Sequence, residues 1–280
     1  MSLRPFLPLL CLALTACPSG KESPPSEQPS ASATASASTG APAPPPTPPA
    51  KPSTAPSGAN AVKESNDLYS FAYTWPAAAG NIPALAQRLE GELDKSKAEL
   101  IASANKGKEQ SESTGFPYNP HYFSEKWKVV ANLPRWLSLT GDFSTYTGGA
   151  HGNYGRETIV WDKQVGRVFP AIAMFASPKA LSDALGDKLC KALDAERAKK
   201  RKGQPKGDIL ADFQKCVGVD EATVLVGSSN GKTFNRVGVW FGPYVAGPYV
   251  EGAYELNFGV DKAILDAVKP GYKAAFSRVR

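Results

Sequence analysis

The chain has 280 residues and a formal net charge of +6. Two histidines and four cysteines leave little for a metal centre, and no His-Glu-x-x-His or paired-cysteine motif occurs. There is also no Gly-x-Ser-x-Gly elbow, no phosphate loop and no repeat at solenoid spacing, so the sequence carries no signature of those catalytic or repeat classes.

The N-terminus reads as a targeting segment. Arg4 supplies a positive charge, residues 6–13 form a short apolar run, and Leu14-Thr15-Ala16-Cys17 closes it with small residues before a cysteine. The run is too short to stay in a bilayer as a spanning helix. Leu-Thr-Ala-Cys fits the lipobox of bacterial lipoproteins. That predicts a signal peptide over 1–16 and acylation of Cys17, with plain cleavage after Ala16 as the alternative. Two or three acyl chains on Cys17 would make the lipid bilayer a stable partner. Pro18 follows the cysteine where an aspartate would favour inner-membrane retention. The expected location is therefore the cell envelope, at the outer membrane facing the periplasm if the source is Gram-negative. Nucleic acid is a poor partner for such a protein.

Residues 17–65 are rich in Pro, Ser and Ala with few large apolar side chains, and are expected to be a disordered tether. A flexible chain of that length spans roughly 35–40 Å, and proline extends it.

Residues 66–280 are predicted to form an α+β domain, either undivided or built as two small lobes over 66–135 and 136–280. Residues 68–73 alternate and end at Trp75-Pro76, a first strand. Asn81 is placed to cap a helix with Pro83 in its first turn, and Ile82, Leu85, Leu89, Leu93 and Leu100 recur near helical spacing. Residues 107–119 read as a polar loop. Strands are expected at 127–132, 136–140 and 158–161, followed by a hairpin over 162–166 and a return over 167–170. Ser177-Pro178 opens a second long helix with Leu181, Leu185, Leu189 and Leu193 on one face. The basic run 197–206, holding Lys199, Lys200, Arg201 and Lys202, reads as a solvated helix end that suits the dipole. The other reading is a contact with anionic lipid or wall polymer. Strands at 224–226 and 236–241 flank Ser228-Ser229-Asn230-Gly231, where Asn-Gly signals a tight turn. Tyr254, Leu256, Phe258 and Val260 alternate as a half-buried strand, and Asp261 can cap a short C-terminal helix. Strand pairs interrupted by two long helices predict a mainly antiparallel sheet.

Two loops stand out. The first is Tyr146-Thr147-Gly148-Gly149-Ala150-His151-Gly152-Asn153-Tyr154. It reads as a bulged strand connection with His151 bonded to nearby backbone, or as a ligand-facing loop. The second, residues 241–252, contains Gly-Pro-Tyr-Val twice and presents Tyr244 and Tyr249 on a stretch stiffened by proline. Rigid tyrosines make good contact residues, although tyrosines packed on the core are the alternative. The candidate ligand-binding residues are thus Tyr244, Tyr249, His151, Tyr146 and Tyr154, with the 241–252 loop ranked first.

Several of these pieces occur in one order: Tyr-Thr-Gly-Gly-Ala-His at 146–151, Trp-Asp-Lys-Gln-Val-Gly at 161–166, Lys-Ala-Leu-Asp-Ala-Glu-Arg at 191–197 and Pro-Tyr-Val-Ala-Gly-Pro-Tyr at 243–249. Over roughly residues 68–268 the order resembles the RsiV-like family, domain of unknown function 3298. In that family it often follows a region numbered 4163 that PdaC-like deacetylases share. The resemblance implies an extracytoplasmic sensing or binding domain, with lysozyme, the ligand of the anti-sigma factor RsiV, or peptidoglycan as possible partners. It brings no deacetylase domain with it, and an anti-sigma role would need a cytoplasmic segment that is not evident here.

Cys190 and Cys216 are the cysteines left beyond Cys17, an even pair in an oxidising compartment. They form either a disulfide or two separate buried thiols. No cofactor, no metal site and no catalytic constellation is expected. The reading adopted is a non-enzymatic binding or sensing module. The alternative is a wall-active enzyme using His151 and an unidentified carboxylate.

Overall fold

The computed structural model describes residues 58–202 and 212–279. The signal segment, Cys17, most of the expected tether and the end of the basic run (203–206) lie outside these residues. None of the described helices is long and apolar enough to cross a membrane.

The first strand, β1 (Asn60–Ser65), lies inside the stretch expected to be tether. Its residues alternate between half-buried and exposed, and it pairs antiparallel with β2 (Tyr69–Trp75). Val62 supplies its one sizeable apolar contact, and its hydrogen-bonding edge rather than hydrophobicity holds it. The polypeptide then makes a short helix, α1 (Ala77–Gly80), and a long one, α2 (Pro83–Thr114). This helical crossover is what a parallel partner for β2 requires. That partner is β3 (His121–Asn132), followed by β4 (Trp136–Tyr146), β5 (Asn153–Asp162) and β6 (Arg167–Phe169). The order is β1-β2-β3-β4-β5-β6, with every pair but β2–β3 antiparallel.

Two details of α2 depart from the sequence reading. Ile82 rather than Asn81 is the N-cap residue, with no side-chain bond, because Asn81 is taken up in closing α1. The polar stretch 107–114 is helix, not loop, and ends at Gly115 with φ 77°. Its side chains are largely solvated, so no apolar period marks it. Gly107 within it has a packing reason: a Cβ there would lie 2.8 Å from Nε2 of His121.

Leu85, Leu89, Leu93 and Leu100 of α2 bury one face against Phe71, Tyr73, Trp75, Trp127, Leu137, Leu139, Ile159 and Trp161. The register explains the choice. Phe123 and Thr145, Glu125 and Phe143, Trp127 and Gly141 are cross-strand partners and so share that face.

The other face carries the second half of the fold. After β6 come α3 (Pro178–Leu185) and α4 (Asp187–Arg201), then β7 (Thr223–Gly227), β8 (Arg236–Phe241), β9 (Tyr254–Gly259) and α5 (Lys262–Ala267). Strands β7-β8-β9 form a separate antiparallel sheet. Ser177 caps α3 through the Ala180 amide, and Asp261 caps α5 through that of Ile264. The expected single long helix is broken at Gly186, which has φ 50°, although Leu189 and Leu193 continue the buried stripe. The β7–β8 connection spans 228–235, longer than the tight turn that Asn-Gly suggested. This core gathers Trp136, Val160, Leu181, Leu185, Val226, Phe234, Val239, Tyr254 and Leu256. A boundary at 135/136 would cut the β3–β4 hairpin, so the two-lobe division does not follow the strand pairing. The α+β class with a mostly antiparallel sheet is the observed architecture.

Candidate binding site

The two glycine-rich loops, far apart in sequence, meet. The first is the tip of the β4–β5 hairpin. The second leaves β8 at Phe241 and returns through a 3-10 turn (Tyr249–Glu251) into β9. The His151 ring stacks on Tyr249 with centroids 4.0 Å apart and an interplanar angle of 22°. Nδ1 of His151 lies 2.8 Å from the Gly152 carbonyl. A carbonyl only accepts, so Nδ1 carries a proton, and Nε2 lies 3.3 Å from the Tyr244 hydroxyl. The Tyr249 hydroxyl donates to the same Gly152 carbonyl at 2.7 Å, and the Tyr154 hydroxyl accepts from the Ala253 amide at 2.9 Å. Tyr154 meets Tyr249 edge-on, with centroids 6.2 Å apart.

Four of the five candidate residues therefore form one cluster. Tyr146 lies to its side. It donates to the Gly149 carbonyl and stacks on Tyr122, whose hydroxyl lies against Gly152. A Cβ on Gly152 would sit 2.4 Å from that hydroxyl and 2.8 Å from the Thr145 carbonyl, so glycine is needed for the tip of the β4–β5 hairpin to pack against Tyr122. Tyr122 carried no sequence signal, since it sits on a strand without a distinctive neighbour. Tyr244 is 54 % exposed, and its backbone is left-handed at φ 65°, a conformation a tyrosine rarely takes.

The second loop is held from behind by α4. Arg197, 3 % exposed, donates from Nε to the Ala246 carbonyl at 3.0 Å and from its other arm to the Lys215 carbonyl at 2.9 Å. Arg201 grips Glu251 with Nε–Oε1 at 2.7 Å, and the Tyr254 hydroxyl bonds the same carboxylate. Burial opposes the charge on Glu251, but Arg201 and Tyr254 hold its carboxyl below the usual range. Lys200 donates to the carbonyls of Glu251 and Ala253 at 2.6 and 2.7 Å, with its ammonium over the Tyr254 ring. Of the basic run read as a solvated helix end, Arg197, Lys200 and Arg201 clamp the aromatic loop, while Lys199 stays at the solvated surface paired to Glu196. Cys190 and Cys216 are joined by a disulfide, with Cα atoms 5.2 Å apart, which ties α4 to the chain beside Lys215.

The described hydrogen-bond partners of His151 are a carbonyl and a tyrosine, and no carboxylate is among them. The other histidine, His121, is 4 % exposed, and burial holds its pKa down. Its Nδ1 lies 3.2 Å from Ser103 Oγ. Among the described residues, no group of three or more His, Cys, Asp or Glu is placed to hold a metal.

The family model described as Deacetylase PdaC matches residues 62–154, which run from β1 through the first of the two loops. No curated protein matches the chain in sequence. Solved structures that resemble it include a DUF3298 family protein from Pseudomonas aeruginosa PAO1, with 18% identity and a TM-score of 0.43 over 81% of this chain and 99% of that one. A DUF3298 family member from Bacteroides fragilis aligns with 16% identity and a TM-score of 0.39, over 75% of this chain and 91% of that one. This chain is thus similar over residues 62–154 to the family described as Deacetylase PdaC.

Proposed function

We propose that residues 58–280 act as a non-enzymatic binding or sensing module in the cell envelope, anchored through acylated Cys17 at the far end of a tether. Its contact face is the aromatic cluster of Tyr244, Tyr249, His151 and Tyr154. Its ligand is lysozyme or a cell-wall component such as peptidoglycan. One observation carries this reading: two loops 93 residues apart lock into a single aromatic surface, one of them fastened from behind by Arg197 and Arg201. A surface ordered before binding loses little entropy when a ligand arrives. The described hydrogen-bond partners of His151 are Tyr244 and the Gly152 carbonyl, with no carboxylate among them to orient the ring as a general base.

The test is capture of the purified protein on insoluble peptidoglycan and on immobilised lysozyme. Tyr249→Ala should weaken the positive interaction by about 1–2 kcal/mol, the scale of a modest hot spot. Equal capture of the wild type and Tyr249→Ala would move the contact face elsewhere. Turnover of a wall substrate that is lost in His151→Ala would replace the module with an enzyme. The anchor is tested separately. Cys17→Ser should abolish acyl labelling, and normal labelling of that variant would remove the lipid anchor from the proposal.

A further inference from the structure

A second feature lies at the opposite end of β8 from the aromatic loop. β8 runs from Arg236 to Phe241. Phe241 leads into the aromatic loop, whereas Arg236 lines a cavity of about 540 Å³ between the β7–β8 connection and the C-terminal segment. Lys232 and Arg278 line it too, and no Asp or Glu does. All three cations are exposed. Among the described residues their head groups make no ion pair and no hydrogen bond, while Arg135, Arg156, Arg197 and Arg201 are each committed to a carboxylate or a carbonyl.

The walls are ordered without help from a ligand. Asn230 Oδ1 accepts from the amides of Lys232 and Thr233 at 2.8 and 2.9 Å, and its Nδ2 donates to the hydroxyls of Thr233 and Ser277 at 3.0 and 3.3 Å. The Val279 amide bonds the Val260 carbonyl at 2.9 Å, fixing the chain on both sides of Arg278. Residues 227–233 read Gly-Ser-Ser-Asn-Gly-Lys-Thr. That is one residue shorter than the phosphate loop of nucleotide-binding folds, and it leads into a strand instead of a helix. Its amides are spent internally, so recognition falls to the side chains.

We propose that this cavity binds a phosphoryl group carried on a small polyol, with glycerol phosphate as the simplest such ligand. Two guanidinium forks and an ammonium without a competing carboxylate favour an anion with several equivalent oxygens. The volume lies within the range of small-molecule pockets and exceeds what a bare phosphate fills, leaving room for the polyol beside Thr233 and Ser277. The phosphoryl group can come from a free phosphate ester or from a glycerophospholipid headgroup.

The experiment uses the full chain and two probes. Calorimetry is run with glycerol 3-phosphate and, as its carboxylate counterpart, glycerate. Co-sedimentation is run with phosphatidylcholine vesicles with and without phosphatidylglycerol. The site variant is Lys232→Gln/Arg236→Gln/Arg278→Gln. The control, Lys106→Gln/Lys108→Gln/Lys126→Gln, removes the same charge elsewhere. The site variant should lose about tenfold or more in affinity, the scale of lost charge-assisted bonds, while the control stays near the wild type. If the site variant fails to fold, Arg278→Gln alone carries the comparison. Binding to glycerol 3-phosphate alone assigns the free ester, and added binding to phosphatidylglycerol vesicles assigns the headgroup. Absence of both, equal affinity for glycerate, or an equal loss in the control variant would each overturn the proposal.

Discussion

Glu125 and Arg197 are both buried, one on each side of the fold, and the protein treats them in opposite ways. Glu125 sits on β3 beneath α2, 7 % exposed. Burial, then the charges of Glu157 on β5 and Glu92 on α2, push its pKa to about 8, against a smaller opposing effect of the Tyr73 hydroxyl. Arg88 is paired to Glu92 at 2.6 Å, and no cation is among the described groups that act on Glu125. At neutral pH Glu125 therefore gives up its charge. A guanidinium has no such exit, so Arg197 must be coordinated, and the carbonyls of Ala246 and Lys215 do it together with the exposed Asp194 carboxylate at 3.1 Å. The lesson is that a buried carboxyl can be neutralised and left idle, whereas a buried guanidinium organises the backbone around it. Here that backbone is the aromatic loop.

Removing Arg197 should have the larger effect. Arg197→Ala leaves the buried Ala246 carbonyl and the part-buried Lys215 carbonyl without their donors, the buried one worth about 1–3 kcal/mol, so a loss of roughly 2–3 kcal/mol is expected in urea unfolding. Arg197→Lys should recover less than half, since an ammonium lacks the fork that reaches both carbonyls. A loss under about 1 kcal/mol would show that the loop holds its shape unaided. The comparison would then fail.

Glu125→Gln should act in the opposite direction. The folded carboxyl titrates near 8 and the unfolded one near 4.5. The unfolded state thus releases its proton first, and wild-type stability declines as pH rises from about 4.5 to about 8. The amide abolishes that decline. The variant should match the wild type at pH 4 and exceed it by about 2 kcal/mol at pH 8, allowing for relaxation around the site. Parallel stability profiles across this range would mean that the carboxyl is already ionised in the folded protein.

Much of the architecture was legible. Leucine spacing marked α2 and α3–α4, alternation marked the strands, and Ser177 and Asp261 announced their helices. What was not legible has physical causes. β1 is held by backbone pairing and carries little apolar signal. The last two turns of α2 are solvated, so their polar residues imitate a loop. The site was legible only as two separate stretches, because the contact of His151 with Tyr244 and Tyr249 depends on the folding of everything between them. The role of Arg197 was hidden for the same reason. A basic run looks the same in sequence whether it meets water or carbonyls.

The smallest expected effect tests whether the clamp stores strain in the loop it holds. Tyr244 keeps φ 65° while its ring stays half in solvent. A side chain in this region costs about 1–2 kcal/mol relative to glycine. The bond to His151 is long and exposed, so it offsets little of that cost. Tyr244→Gly should then stabilise the fold by about 0.5–1 kcal/mol, the net after lost contacts and the greater freedom of glycine in the unfolded chain. The same change should weaken ligand capture, because it deletes the exposed tyrosine ring of the cluster. Stability and binding moving apart in one variant would mark Tyr244 as held for contact. If Tyr244→Gly destabilises the protein instead, the ring belongs to the packing of the loop, and Tyr249 with His151 would be left to form the contact face.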